Sequence, residues 1–155
     1  MRRARAVAYT CAGVATILDQ LSKAWAVSHL PAFGTTPWLP GVLALELTHN
    51  TGAAFSLFRG HPELLGLVSF VVTLGLALWI QRQGSMPLAR CLGLGLLLGG
   101  AIGNGLDRWR LGYVVDFLAL VPISFPVFNL ADAAINVAVL CFAIDLLGNH
   151  GQPQR

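Results

Sequence analysis

Hydrophobic positions gather into four runs, at roughly residues 6 to 28, 62 to 81, 88 to 107 and 129 to 148. Each approaches the ~20 helical residues that a hydrocarbon core of ~30 Å requires. Two of the connections change period. Leu43, Leu45 and Leu47 alternate with Ala44, Glu46 and Thr48, a strand pattern that runs into the turn Asn50-Thr51-Gly52. Tyr113 to Phe128 is β-branched and aromatic, with Pro122 and Pro126 as stops. The pattern predicts an α-helical integral membrane protein: four transmembrane helices and a small β-rich extracytoplasmic platform, in one membrane-embedded domain over residues 1–155. In the third run Gly95, Gly99 and Gly103 recur at four-residue steps, a smooth face against which another helix can lie closely.

Composition agrees with the pattern. The chain is 55% hydrophobic and 11% charged, less than half the charge of an ordinary soluble domain. The net charge of +3 comes from basic residues near the ends of apolar runs, so it reads as topology rather than nucleic-acid binding. Arg2, Arg3 and Arg5 precede the first run, Arg82 and Arg90 flank the short second connection, and Arg155 ends the chain. The positive-inside rule places both termini and that connection in the cytoplasm, although Arg59, Arg108 and Arg110 lie on the outward side. The N-terminal run begins like a secretory signal, but Asp19 and Lys23 interrupt its distal half and the cleavage site is poor. It is read as a retained helix. Cys11, Cys91 and Cys141 are scattered through apolar segments and indicate neither a disulfide framework nor a zinc site. Neither H-E-x-x-H nor G-x-S-x-G occurs.

Polar residues inside apolar runs are costly and need a reason. Asp19 lies about 20 Å along the first helix, in its outer half. Asn104 and Asp107 close the third run on that side, Asn129 and Asp132 open the fourth, and Asn50 and Asp116 lie on the outer connections. These groups converge on one depth; among the acids in apolar settings only Asp145 stands apart. Gly100, Asn104, Asp107 and Arg108 share one face of the third helix, and Asn129, Asp132 and Asn136 one face of the fourth, so two polar faces are expected to meet. Asp107 with Arg108, and Asp19 with Lys23 at i,i+4, read as structural ion pairs. Asp116 and Asp132 have only apolar neighbours in sequence. Two carboxylates brought close cannot both ionise easily, and an acid and a base around one water is the arrangement of aspartic proteolysis. On the residues alone, a proton relay or ion site fits equally well.

Five segments, Asp19-Gln20-x-x-Lys23, Asn50-Thr51-Gly52-Ala53-Ala54-Phe55-Ser56, Gly99-Gly100-Ala101-x-Gly103-Asn104-x-x-Asp107-Arg108, Val114-Val115-Asp116-Phe117 and Phe128-Asn129-x-Ala131-Asp132, resemble in order the motifs of the lipoprotein signal peptidases, or signal peptidase II. The resemblance implies an aspartic endopeptidase of the bacterial cytoplasmic membrane, multi-pass, with its active site near the extracytoplasmic face. It would cut signal peptides from prolipoproteins just before a cysteine that carries diacylglycerol. It implies Asp116 and Asp132 as the catalytic pair, and Asn50, Gly52, Asn104, Asp107, Arg108, Asn129, Asp19 and Lys23 as substrate-binding or supporting residues. No metal or other cofactor is implied. The expected partners are a lipid-modified prolipoprotein and membrane lipid, with no nucleic acid, and the chain is expected to be a monomer. Two positions depart from the family's pattern: His49 stands where arginine is common, and Gly105 where a larger apolar residue is usual.

Three rival readings remain. A magnesium-dependent lipid phosphotransferase could use membrane-boundary aspartates, but Asp107, Asp116 and Asp132 lack tight D-x-x-D spacing. A small transporter or proton channel needs no chemistry at all. A serine–lysine protease built on Ser22 and Lys23 is disfavoured because adjacent helical residues do not face each other.

Overall fold

The structure, a computed structural model, describes residues 2–52 and 62–150. It contains helix α1 (Arg2–His29), strands β1 (Thr36–Leu39) and β2 (Leu43–Asn50), helices α2 (Pro62–Arg82) and α3 (Leu88–Leu111), strand β3 (Val114–Leu120) and helix α4 (Leu130–His150). The four expected helices all form. Among the described residues, three are long and apolar enough to cross a membrane: Glu63–Arg82, Leu88–Leu111 and Leu130–Gly148. The first helix has ample length, 28 residues, but its arginines and its Asp19, Gln20 and Lys23 keep it out of that set. The chain is a multi-pass membrane protein. Ala53 to Ser56 of the second motif and Arg59 lie outside the described residues.

The third helix is the hub. Of its apolar stretch 56% is buried within the protein, against 17% for α2 and 11% for α4, whose apolar side chains mostly face outward. Its glycines explain how three helices pack on one. A Cβ on Gly99 would lie 2.7 Å from the Ala12 carbonyl oxygen, and one on Gly100 2.7 Å from that of Ala131, so α1 and α4 both touch bare backbone. The smooth face is therefore a helix-packing device, as its spacing predicted. Gly105 packs against Ser69 of α2. The helix runs to Leu111, four residues past the expected end, and carries Arg108 on its last turn. Gly112 then terminates it in a left-handed conformation (φ 79°), donating its N–H to the Arg108 carbonyl. Two residues later the chain is already in β3.

The first and third connections build one antiparallel sheet in the order β1-β2-β3. The first strand lies within a turn-rich stretch, and Pro37 is tolerated there because β1 is an edge. The β2–β3 register pairs Thr48 with Asp116 and Asn50 with Val114, with an irregularity between Leu45 and Thr48. That irregularity breaks the simple alternation read from the sequence: Ala44 and Leu45, adjacent in the strand, are both buried. Leu118 bridges to Phe128, which folds the loop after β3 back to the start of α4. Ala26, Leu45, Phe117 and Leu118 form a small core that fixes the sheet on the C-terminal end of α1.

Candidate active site

Asp116 sits on the third residue of β3 and is 1% exposed. Its two oxygens accept hydrogen bonds from two amides: Asn50 Nδ2 at 2.9 Å and Asn129 Nδ2 at 2.6 Å. Asn50 is itself locked, because its Oδ1 accepts the Gly52 N–H at 2.9 Å in an Asx turn. Burial pushes the Asp116 carboxyl up to about 6; the Asn50 hydrogen bond opposes this, the Asp132 charge adds to it, and the Asn129 bond opposes it.

Asp132 is placed by a different rule. Asn129 caps α4, its Oδ1 accepting the Asp132 N–H at 2.9 Å, while Asp132 Oδ2 accepts the Asn129 N–H at 3.3 Å. This reciprocal pair is a capping box, written here with Asn and Asp. The other oxygen, Oδ1, accepts from Asn104 Nδ2 at 2.8 Å. Asp132 is half-buried where Asp116 is closed off. Asn129, fully buried, therefore touches both carboxylates: one through its side-chain amide, the other through its cap.

Behind the aspartates lies a buried cation. Lys23 Nζ donates to Asp19 Oδ2 at 2.8 Å, Asp107 Oδ2 at 2.9 Å and Asn104 Oδ1 at 2.9 Å, using all three of its protons. Because Asn104 Oδ1 faces the ammonium, its NH2 must face Asp132. Asp19 Oδ1 in turn accepts the Ala131 N–H at 2.9 Å, satisfying another free donor in the first turn of α4. Asp107 accepts from Gln20 Nε2 at 2.9 Å and from the Val115 N–H at 3.1 Å, which anchors β3 beside Asp116. Among the described residues every buried side-chain nitrogen and oxygen has a partner.

The Asp19–Lys23 pair forms as expected, but the expected Asp107–Arg108 pair does not. Consecutive helical side chains diverge by about 100°, so Asp107 turns inward to Lys23 while Arg108 turns to the cavity. There Arg108 donates to the Gly52 carbonyl at 3.2 Å and to that of Asn104 at 3.3 Å. Asp145 pairs with Arg90 at 2.8 Å at the other end of the bundle, consistent with its separate depth.

A cavity of about 950 Å³ opens in front of this network. Asp116, Asp132, Asn50, Gly52, Asn104 and Arg108 line it, with an apolar wall that includes Val114, Leu120, Phe125, Phe128 and Ile135. Of the ten residues singled out from the sequence, these six line the cavity; Asn129, Asp107, Asp19 and Lys23 stand behind it. Asn136, read from the sequence as part of the polar face of the fourth helix, also lines the cavity, whereas Gln20, which ties α1 to Asp107, and Thr48 in the cavity lining were given no role. Thr48 had a signal in principle, since it alternates with Asn50 along a strand. His49 also lines the cavity, with its ring 4.3 Å from that of Tyr113.

The family model described as Signal peptidase (SPase) II matches residues 11–148. This chain belongs to the signal peptidase II family. The lipoprotein signal peptidase of Parasynechococcus marenigrum is 54% identical over 135 residues, covering 87% of this chain and 85% of that protein. That of Gloeobacter violaceus is 43% identical over 139 residues, covering 90% and 80%. A bacterial membrane enzyme solved by the in meso method at 2.3 Å superposes with a TM-score of 0.86 at 25% identity, over 96% of this chain and 92% of that one. As a signal peptidase II the chain is a membrane peptidase.

Proposed function

We propose that the chain removes signal peptides from diacylglyceryl-modified prolipoproteins, cutting before the lipidated cysteine, with Asp116 and Asp132 as the reacting pair. One observation carries this reading: two aspartates held by different devices, one almost wholly buried and one half-buried, are joined through Asn129 at the wall of a single cavity. Their environments separate their roles. Asp116, whose carboxyl burial pushes up to about 6, is assigned the acid, and Asp132, the more exposed of the two, the base that takes a proton from water. Water attacks the scissile carbonyl carbon as its proton passes to Asp132, and Asp116 protonates the carbonyl oxygen. The diol then collapses: Asp132 protonates the leaving nitrogen, the C–N bond breaks, and a diol hydroxyl returns a proton to Asp116. Arg108 lines the same wall and is placed to hold substrate backbone, while Asn50 holds Asp116.

Support against metal-dependent phosphotransfer comes from Asp107. Its oxygens are taken by Lys23, Gln20 and the Val115 N–H, so it is not free to join Asp116 and Asp132 on a cation. In our reading all four helices cross the cytoplasmic membrane of a bacterium as one domain, with both termini inside and the sheet on the outer surface. The first helix tolerates Asp19 and Lys23 because both are neutralised inside the bundle. Reconstituted protein given a diacylglyceryl-modified precursor tests the function, with the two Asp→Asn variants as the decisive comparison.

A further inference from the structure

A second cavity, of about 550 Å³, lies between α1 and α3 and shares no lining residue with the first. Its walls are Ala6, Val7, Thr10, Cys11, Val14, Ala15 and Leu18 of α1, with Leu92 and Leu96 of α3. From Ala6 to Leu18 the helix rises roughly 18 Å, close to the ~15 Å of one hydrocarbon leaflet. Apart from the Thr10 hydroxyl and the Cys11 thiol the lining is apolar, so it suits an acyl chain. At its N-terminal mouth the helix face continues as Arg3, one turn before Val7, and Arg2, one turn before Ala6. Both arginines are exposed, and among the described residues neither forms a salt bridge. Their neighbours are engaged: Arg5 donates to the Gln83 carbonyl at 2.9 Å and Arg90 pairs with Asp145.

We propose that this groove is a binding site for one anionic phospholipid. An acyl chain lies between α1 and α3, and the phosphate rests on Arg2 and Arg3. Charge complementarity selects this occupant: a neighbouring helix would cover the apolar wall but leave two arginines without a counter-ion, whereas a phospholipid phosphate at the cytoplasmic boundary answers both. The site is independent of the peptidase cavity, so its test does not depend on the reaction.

The test uses the full chain in nanodiscs of equal phosphatidylglycerol and phosphatidylcholine, released into mild detergent for native mass spectrometry. The expected result is one retained phosphatidylglycerol per protein, in preference to phosphatidylcholine. Each arginine removed should weaken that preference about fivefold. R2Q/R3Q should thus lose it, R2K/R3K should keep it, and Thr10→Phe, which fills the groove, should abolish retention of either lipid. Equal retention of the two lipids, or a preference that survives both R2Q/R3Q and Thr10→Phe, would overturn the proposal. So would a lipid-free dimer that Thr10→Phe breaks, since the groove would then be an interface between copies.

Discussion

Asp116 and Asp132 are chemically identical side chains that the fold treats differently. One is enclosed in a strand and held by two amides; the other closes a helix cap and opens to a cavity. With Asp116 as the acid, kcat/KM falls as pH rises through about 6, because the proton it must donate is lost there. The sign can be checked at Asn50, whose hydrogen bond favours the charged carboxylate and so holds Asp116 down. Asn50→Ala should move that limb to higher pH, as read in a pH profile of precursor cleavage; movement to lower pH would contradict the assignment. That these two aspartates differ from the others was legible in the sequence: Asp19 and Asp107 have a cation within four residues, and Asp145, which like Asp116 and Asp132 has none, lies at the other end of its helix. The link between Lys23 and Asp107 was not: the residues are 84 positions apart, and i,i+1 adjacency pointed to Arg108 instead.

At the scale of elements, the site depends on how closely α1 and α4 approach α3. Lys23 reaches Asp107 and Asn104, and Asp19 reaches Ala131, only because Gly99, Gly100 and Gly103 present no side chains between them. Gly99→Ala would drive a Cβ into the Ala12 carbonyl and should cost about 1–3 kcal/mol. Gly13→Ala, with nothing within 4 Å, should be neutral or stabilise by up to ~1 kcal/mol. Thermal unfolding of both variants in detergent checks the contrast. Equal melting temperatures would mean that the glycines do not set the helix spacing. The helices and the glycine face were readable from period and length alone. The sheet was only half readable: β2 announces itself by alternation, but β1 sits among prolines and glycines and exists because β2 offers it a free edge.

At the scale of the whole molecule, the polar network occupies one end of an apolar bundle and the Arg90–Asp145 pair the other, which gives the protein an axis across the bilayer. If the positive-inside reading holds, a cysteine introduced by Gly34→Cys is labelled by a membrane-impermeant maleimide from the outer side of intact cells. Gln83→Cys is labelled only after permeabilisation, with the native cysteines replaced in both. The reverse pattern would put the cavity on the cytoplasmic side. Topology, packing and electrostatics all bear on the proposal that Asp116 and Asp132 are the reacting pair. The most direct test is single-turnover cleavage of a diacylglyceryl-modified precursor by reconstituted wild type, Asp116→Asn and Asp132→Asn, with folding of each verified by thermal unfolding. The account predicts that each variant is folded yet slower by about 10³-fold or more; a folded variant that cleaves at the wild-type rate would contradict it.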